Sequence, residues 1–249
     1  MRLKKINDLP PEMRNGATEY YYAILKKKRV SLFFKRCFDV VVSLFLLALL
    51  SPVMLIVAIA IKIDSRGPVF YRQTRVTQYN KTFRIFKFRT MVANADKIGT
   101  QVTVNGDPRI TRVGRLIRKV RIDELPQLID VLRGKMTFVG TRPEVPKYTE
   151  KYTDEMMATL LLPAGITSEA SIYYKDESRL LDASSDPDET YVKEILPVKM
   201  YYNLKAIENF GFFHDIKIMF MTVFAVLGKD YRGDYEDSQK KDENGADKQ

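Results

Sequence analysis

An apolar run at positions 40–61 constrains the fold of this chain more than any other feature. Its 22 residues carry no charge. As a helix rising about 1.5 Å per residue, the run would be long enough to cross roughly 30 Å of hydrocarbon. It starts far from Met1 and more than half of the sequence follows it, so it differs from a cleavable signal peptide. The run therefore predicts a segment that lies within a membrane.

Ser51-Pro52 stands near the middle of this run, where proline removes a helical hydrogen bond and clashes with the preceding turn. Each half would be about 16 Å long, which is half a bilayer. Basic residues flank the run on both sides: Lys26, Lys27, Lys28, Arg29, Lys35 and Arg36 precede it, and Lys62, Arg66, Arg72 and Arg75 follow. This symmetry favours a re-entrant helix with both ends on the cytoplasmic face. A straight or mildly kinked spanning helix is the alternative.

The composition fits a protein at a membrane surface. The 249 residues carry a formal net charge of +10, and their number suffices for one ordinary domain beside the apolar run. Excess Lys and Arg suit anionic lipid headgroups, phosphorylated substrates or nucleic acid, and the apolar run favours the first two. The single cysteine, Cys37, fits a reducing compartment. The sequence lacks a zinc-ligand cluster, a Walker loop and a dinucleotide-binding glycine pattern, and His214 is expected to have a packing role.

Two adjacent carboxylates, Asp123 and Glu124, stand between a basic stretch and a predicted helix. Pro126 fits only the first turn of a helix, and apolar residues follow it at helical spacing. The free N–H groups and the positive dipole end of such a helix favour ionised carboxylates by about 0.3–1 kcal/mol and attract phosphate oxygens. The alternative is an ordinary Asp N-cap followed by a first-turn Glu. The pair is therefore a candidate site for phosphate chemistry.

A second candidate follows a short predicted strand at 137–140. Thr141-Arg142-Pro143 predicts a sharp turn, in which Pro143 restricts the backbone beside Arg142. A guanidinium group is planar and forms paired hydrogen bonds with phosphate. Arg142 is therefore a candidate phosphate ligand.

The remaining pattern predicts an α/β fold that is mostly helical, with a small sheet. Strands are expected at 69–71 and 83–89, helices at 144–161, 188–196 and 197–227, and a loop at 163–167. Period-two alternation in the second strand places Phe83, Ile85 and the stem of Lys87 on one face.

Five motifs in this order resemble the monotopic phosphoglycosyl transferases, bacterial sugar transferases that begin glycan assembly on polyprenol phosphate. The motifs are Ser51-Pro52 in its apolar hairpin, Lys87-Phe88-Arg89-Thr90-Met91, Leu116-Ile117-Arg118, Asp123-Glu124-Leu125-Pro126-Gln127-Leu128 and Phe138-Val139-Gly140-Thr141-Arg142-Pro143. The resemblance implies a UDP-sugar donor, undecaprenyl phosphate as acceptor, Mg²⁺ and an aspartyl-phosphosugar intermediate. It also implies the bacterial inner membrane, with the active site and interfacial helices on the cytoplasmic face.

The resemblance also implies a role for each matching residue. Asp123 would be the nucleophile, and Glu124 would be its partner at the Mg²⁺ ion and the phosphate. Arg142, with Pro143 fixing its backbone, would hold phosphate. Lys87 and Arg118 would be supporting cations, although Lys and Arg are more commonly solvated surface residues. A carboxylate of ordinary pKa about 3.9 needs no general base for such an attack.

Some positions depart from the family pattern. Members commonly carry Arg-Pro-Gly-Ile-Thr-Gly where this chain has Pro163-Ala164-Gly165-Ile166-Thr167-Ser168, and Glu169 replaces an apolar residue. The turn after the first strand is altered at Arg75-Val76-Thr77, and Thr141 stands where Pro is frequent. Contacts to the sugar and the nucleobase are therefore left unassigned.

Four regions follow from this interpretation. They are a basic, polar and loosely ordered N-terminal arm (1–30), a re-entrant membrane helix (31–64), a catalytic domain (65–231) and a disordered acidic tail (232–249). A homodimer is compatible with the sequence, and no nucleic-acid partner is expected. Two alternatives remain: a membrane-tethered module that binds anionic lipid or nucleic acid without turnover, and a membrane-anchored scaffold.

Overall fold

A computed structural model of the protein describes residues 1, 3–95, 107–174, 180–181, 184, 186–231, 233 and 235. Within these residues the fold is mostly helical with small sheets, which confirms the predicted class. The helices are α1 (Gly16–Lys27), α2 (Arg29–Asp64), α3 (Arg112–Lys119), α4 (Gln127–Leu132), α5 (Pro146–Thr149), α6 (Asp154–Met157), α7 (Glu169–Tyr173), α8 (Pro187–Thr190), α9 (Leu196–Glu208) and α10 (Phe212–Val226). The strands are β1 (Phe70–Thr77), β2 (Lys81–Phe88), β3 (Met136–Val139) and β4 (Ala164–Thr167). Apart from Gly233 and Tyr235, the predicted acidic tail lies outside the described residues.

The N-terminal segment is folded, where the sequence suggests a loosely ordered arm. Asn15 caps α1 by accepting a hydrogen bond from the backbone N–H of Thr18 at 2.8 Å. Leu9, Met13 and Leu25 are fully buried in a cluster with apolar residues from 158–162 and from α9. Because this burial removes apolar surface from water, the segment is part of the body of the protein.

The segment also supports the turn that joins β1 to β2. Tyr79 and Asn80 both have positive φ, a conformation that costs non-glycine residues free energy. The Tyr79 hydroxyl accepts a hydrogen bond from the Lys4 backbone at 2.9 Å, and the Asn80 side chain donates one to Glu12 at 2.7 Å. The N-terminal contacts therefore stabilise a turn that lacks glycine.

Helix α2 contains the apolar run and continues across Ser51-Pro52 as one element of 36 residues. The Ser51 hydroxyl donates to the Ala48 carbonyl at 2.8 Å, inside the same helix. Two separate legs of a hairpin are not seen, so the re-entrant geometry is not confirmed. Among the described residues, α2 is the helix that is long and apolar enough to cross a membrane.

One face of α2 binds the body of the protein through buried polar side chains. The Lys35 ammonium donates to the Val139 carbonyl at 2.7 Å and forms an ion pair with Asp215 at 2.5 Å. Asp39 accepts hydrogen bonds from the Thr137 hydroxyl at 2.8 Å and from the Phe138 N–H at 3.2 Å. These contacts attach the first half of α2 to β3 and α10.

Arg36 adds a further contact, to the end of α4. Its guanidinium donates to the Val131 and Leu132 carbonyls at 2.7 and 2.9 Å, two of the terminal carbonyls of α4. Lys35 and Arg36 therefore serve internal contacts. Of the positive charges that flank the apolar run, these two therefore do not report on topology.

The second half of α2 contacts the same body. Val57 and Ile61 are buried against Phe88 and Ile117. Arg89, directly after β2, donates to the Ser65 carbonyl at 2.7 Å and so caps the end of α2. Both ends of α2 are thus attached to one folded unit.

The opposite face of α2 is apolar and exposed, and so is much of α10. We call these exposed side chains the apolar outer surface: Val41, Leu44, Phe45, Leu49, Val53, Leu55, Ile56, Ile59 and Ile63 from α2, and Phe213, Phe220, Val223, Phe224 and Val226 from α10. Soluble monomers rarely expose so large an apolar patch. The protein is therefore membrane-associated.

Two small sheets position the polar residues of the body. Strands β1 and β2 pair antiparallel, and Phe83 and Ile85 are buried on one face, as predicted. Strand β4 pairs parallel to β3, although its residues were predicted to form a loop. A Cβ at Gly165 would lie 2.2 Å from the carbonyl oxygen of Gly140, so this close approach requires glycine. The loop prediction failed because the partner strand is distant in sequence.

Two predicted long helices are divided. The predicted helix at 144–161 forms α5, α6 and a 3₁₀ turn, and Thr153 caps α6 by accepting a hydrogen bond from Met156 N–H at 3.3 Å. The predicted helix at 197–227 forms α9 and α10, with Gly211 in an extended conformation between them. A five-residue π-helical turn, Tyr191–Ile195, precedes α9.

We expect Asp39→Ala to lower the free energy of unfolding by about 2–4 kcal/mol, because it leaves the Thr137 hydroxyl and the Phe138 N–H buried without their acceptor. The matched control is Val41→Ala, at a side chain that is 66% exposed on the opposite face of α2. Denaturant titration of the detergent-solubilised protein measures both. Equal stability of the two variants would show that Asp39 does not anchor the helix.

Candidate active site

Asp123 and Glu124 lie in a short 3₁₀ turn, Ile122–Glu124, directly before α4. Arg121 precedes the turn with a φ of +55°, which reverses the chain after α3. Pro126 occupies the N-cap position of α4, close to the helix start predicted from the sequence. The two carboxylates therefore lie between α3 and α4, and Leu125 and Pro126 separate them from the start of α4.

Glu124 brings together two cations from distant parts of the chain. The Lys87 ammonium, at the end of β2, lies 2.9 Å from Glu124 Oε1. The Arg142 guanidinium, after β3, approaches the same carboxylate with both terminal nitrogens, and Nη1 lies 3.5 Å from Oε2. Three of the residues singled out in the sequence thus form one network.

The network keeps Glu124 ionised. Burial would raise its pKa, but Arg142 and Lys87 outweigh burial and hold the pKa of Glu124 well below its usual range. Burial lowers the pKa of Lys87, and Glu124 opposes that shift. Because these side chains are partly buried, their charges interact more strongly with each other, and with an incoming anion, than fully exposed charges would.

Asp123 differs from its neighbour. Among the described residues no cation forms an ion pair with Asp123, whereas Glu124 has two. Burial and the adjacent Glu124 raise the pKa of Asp123, while Lys87 and Arg118 oppose the shift. The half-buried Asp123 carboxylate therefore lacks the ion pairs that hold Glu124 in place.

The remaining predicted residues fall into two groups. Arg118, on α3, is half-buried and close enough to lower the pKa of Asp123. Pro143 is buried beside Arg142, and its carbonyl accepts a hydrogen bond from Arg75 at 3.1 Å. Ser51 and Pro52 have exposed side chains on α2 and belong to the membrane-facing part, outside the carboxylate network.

Sequence reasoning missed several residues around this network. Tyr71, Gln73 and Arg75 alternate along β1 and face Lys87, Ile85 and Phe83 across the strand pair, so they share the face that carries Lys87. Period-two alternation could have indicated this row if the first strand had been extended to Thr77. The buried residues Glu144, Tyr191 and Lys199 also interact behind Arg142. Because these three residues are far apart in the sequence, no local pattern indicates that they interact.

The donor set agrees with one mode of magnesium binding. The described residues contain no cluster of three or more His, Cys, Asp or Glu side chains that could hold a metal ion. Proteins commonly bind Mg²⁺ through one or two carboxylates, with water and substrate phosphates completing the octahedron. Asp123 and Glu124 provide such a pair, so the residues fit a metal ion that is shared with a phosphorylated substrate.

His214 has a partner that its isolation in the sequence conceals. Its Nε2 lies 2.5 Å from the carboxylate of Glu169, the residue that replaces an apolar family position. Thr167 and Thr222 form a second contact between the same two regions, with their hydroxyl oxygens 2.7 Å apart. These pairs attach α10 to β4 and α7, and they explain why a carboxylate is tolerated at position 169.

Comparisons with known proteins identify the family of this chain. Residues 30–229 match the sequence model of the bacterial sugar transferases. The chain is 37% identical to UDP-N-acetylgalactosamine-undecaprenyl-phosphate N-acetylgalactosaminephosphotransferase of Aeromonas hydrophila, over 78% of this chain and 44% of the relative. It is 38% identical to UDP-glucose:undecaprenyl-phosphate glucose-1-phosphate transferase of Escherichia coli (strain K12), over 76% of this chain and 39% of the relative. A protein of the same name from Caulobacter vibrioides is 35% identical, over 79% of this chain and 70% of the relative.

The chain thus spans less than half of the length of the first two relatives. The family match covers the network of Asp123, Glu124, Lys87 and Arg142, and it leaves out the N-terminal segment before residue 30. Because the match extends over most of the sequence, this chain belongs to the bacterial sugar transferase family.

Proposed function

We propose that this protein is a phosphoglycosyl transferase that moves a sugar-1-phosphate from a UDP-sugar to undecaprenyl phosphate. The observation that carries the proposal is the pairing of Glu124 with Lys87 and Arg142 beside an available Asp123. Relatives named as undecaprenyl-phosphate sugar phosphotransferases support this substrate class. A binding module without turnover would leave both the network and the family match unexplained.

The chemistry proceeds in two displacements. An Asp123 oxygen attacks the β-phosphorus of the UDP-sugar, the bond between that phosphorus and the bridging oxygen breaks, and UMP leaves. A phosphate oxygen of undecaprenyl phosphate then attacks the same phosphorus, and the bond to Asp123 breaks. The product is undecaprenyl diphosphosugar, and the free Asp123 carboxylate is regenerated.

Repulsion between the carboxylates and the diphosphate is the main obstacle to the first step. Glu124 holds Arg142 and Lys87 at the site before the donor arrives, so both cations are in place to stabilise the transferring phosphoryl group. Arg118 adds positive charge on the Asp123 side. Asp123 and Glu124 would also hold Mg²⁺, which supplies charge neutralisation for the diphosphate and the leaving UMP.

The contacts of the N-terminal segment support a monotopic arrangement. Leu9, Met13 and Leu25, which precede α2, pack with Leu161 and Ile207 from the body that follows α2. A helix that crossed the bilayer would place these two groups in different compartments. Both ends of α2 therefore lie on one side, which we infer to be the cytoplasmic face of the bacterial inner membrane.

The apolar outer surface supports a position of the site close to the lipid headgroups. The end of α2 is capped by Arg89, only two residues after Lys87 in the sequence. Ser51-Pro52, on the exposed side of α2, provides the point at which the helix can bend within the bilayer. This arrangement brings the acceptor phosphate to the carboxylates while its hydrocarbon chain stays in the membrane.

Asp123→Asn should lower the turnover rate at least about a thousandfold while preserving the fold, because the amide keeps the volume of the side chain and loses its nucleophilic charge. Wild-type protein mixed with the correct UDP-sugar and Mg²⁺ should release one equivalent of UMP and carry a phosphosugar on Asp123. Intact-mass measurement and a UMP assay over a panel of UDP-sugars test both statements. Asp154→Asn, at an exposed carboxylate on α6, is the control. Full turnover without an adduct would favour direct attack by the lipid phosphate.

The rate of donor-dependent UMP release should fall as pH decreases through the raised pKa of Asp123, because only the ionised carboxylate attacks. Arg118 lowers this pKa, so Arg118→Gln should move the acidic limb to higher pH. Arg115→Gln, at an exposed position on the same helix, should leave the limb in place. Single-turnover rates across pH measure both, and identical limbs in all three proteins would exclude Asp123 as the titrating group.

A cysteine at position 5 should be protected from a membrane-impermeant maleimide in intact cells and labelled after the membrane is opened. The variants Lys5→Cys and Glu150→Cys, in a Cys37→Ser background, report on the two sides of α2 and should behave alike. Labelling of position 5 in intact cells, with position 150 protected, would instead demonstrate a spanning helix.

A further inference from the structure

The segment that carries Arg142 is held on both sides of that residue. On one side, the Gly140 N–H donates to the Thr167 carbonyl at 2.9 Å, and the Gly165 N–H donates to the Thr141 carbonyl at 2.8 Å. These hydrogen bonds attach the start of the segment to β4. The Arg142 guanidinium itself points to Glu124.

Arg75 holds the other side from β1. Its Nη1 donates to the Pro143 carbonyl at 3.1 Å, while Nε and Nη2 both donate to the Gln73 side-chain oxygen, at 3.1 and 2.7 Å. The Val76 N–H donates to the Glu144 carbonyl at 2.8 Å. The end of β1 thus binds the backbone of the two residues that follow Arg142.

The side chain of Glu144 fixes the same segment from behind. Its carboxylate accepts hydrogen bonds from the Tyr191 hydroxyl at 2.5 Å and from the Lys199 ammonium at 3.3 Å, and Lys199 also donates to Tyr191 at 2.8 Å. Glu144, Tyr191 and Lys199 are all buried. The rings of Tyr191 and Tyr148 stack with centroids 4.4 Å apart, so the Tyr191 hydroxyl has little freedom to move.

A buried charged network of this kind needs an explanation other than stability. Well-packed apolar residues of similar volume stabilise a core as well as a buried ion pair does, or better. Burial also lowers the pKa of Arg75, and the nearby Glu144 opposes the shift. The network instead provides directional hydrogen bonds, which fix two neighbouring residues of one short segment in a single geometry.

We propose that Arg75 and Glu144 are positioning residues, which fix the backbone after Arg142 so that its guanidinium meets the transferring phosphoryl group in one geometry. The inference rests on the proposed function, because it takes Arg142 to be the phosphate ligand. In the structure the Arg142 guanidinium contacts Glu124, and phosphate oxygens of a donor would compete for the same nitrogens. A fixed backbone keeps the guanidinium within reach of the phosphate during this exchange.

Arg75→Gln should lower kcat by about 10- to 100-fold, as expected for a misplacement near 1 Å, with donor KM changed by less than about threefold. Arg75→Lys keeps the charge but not the paired contact to Gln73, so it should recover only part of the rate. Glu144→Gln should behave like Arg75→Gln, since it removes the negative charge that Lys199 and Tyr191 contact. Arg84→Gln, at an exposed position on the opposite face of the strand pair, is the control and should keep wild-type kinetics.

A double-mutant cycle separates positioning from a general effect on the fold. In an Arg142→Lys background, Arg75→Gln should lower the single-turnover rate by less than about threefold. The reason is that Arg75 acts by positioning the Arg142 guanidinium, which this background already lacks. Multiplying effects in the double variant would overturn the inference. If Arg75→Gln does not fold, Gln73→Met replaces it in the same cycle, with thermal unfolding as the check. Failure of the wild-type protein to release UMP from any UDP-sugar would refute the proposed function instead.

Discussion

The buried polar contacts of α2 are the interactions on which the rest of the structure depends. An apolar helix in a membrane gains little from packing against apolar protein surface, since lipid tails offer equivalent contacts. Lys35 and Asp39 solve this problem with hydrogen bonds and an ion pair to β3 and α10 that lipid cannot replace. Breaking either contact would leave a buried charge or donor unpaired, which costs more than an apolar contact does. The helix is therefore attached in one register, and every element that carries a site residue is positioned relative to it.

The site itself depends on an asymmetry between two neighbouring carboxylates. Glu124 collects Lys87 and Arg142, while Asp123 has no such ion pair among the described residues and has a raised pKa. One carboxylate thus organises the cations, and its neighbour remains able to react. If both were paired equally, a nucleophile would first have to break an ion pair. If neither were paired, two adjacent anions would repel a diphosphate.

Local patterns predicted much of this, and several of the failures are non-local. The apolar run, the alternation of Phe83 and Ile85, and the carboxylate pair before Pro126 are visible in short windows of sequence. Strand β4 could not be predicted in this way, because its partner β3 lies more than twenty residues away. The sequence predicts a loosely ordered N-terminal arm because the apolar partners of Leu9 and Met13 are far away in the sequence, near residue 160 and in α9. Likewise, Arg36 is a charged residue of the kind usually found at the surface, but its guanidinium caps the end of α4.

The same distinction separates the predicted site residues from those that hold them. Asp123, Glu124 and Arg142 stand in motifs because the proposed chemistry needs these groups at fixed local positions. Arg75, Glu144 and Lys199 need only reach one another in space, so their positions in the sequence follow the fold. The end of β2 shows how closely the two classes are joined: Lys87 contacts Glu124, and Arg89, two residues later, caps α2. A displacement of α2 would therefore be transmitted through one short strand to Lys87, beside the proposed nucleophile. Under the proposed function, membrane attachment would in this way affect the geometry of phosphate transfer.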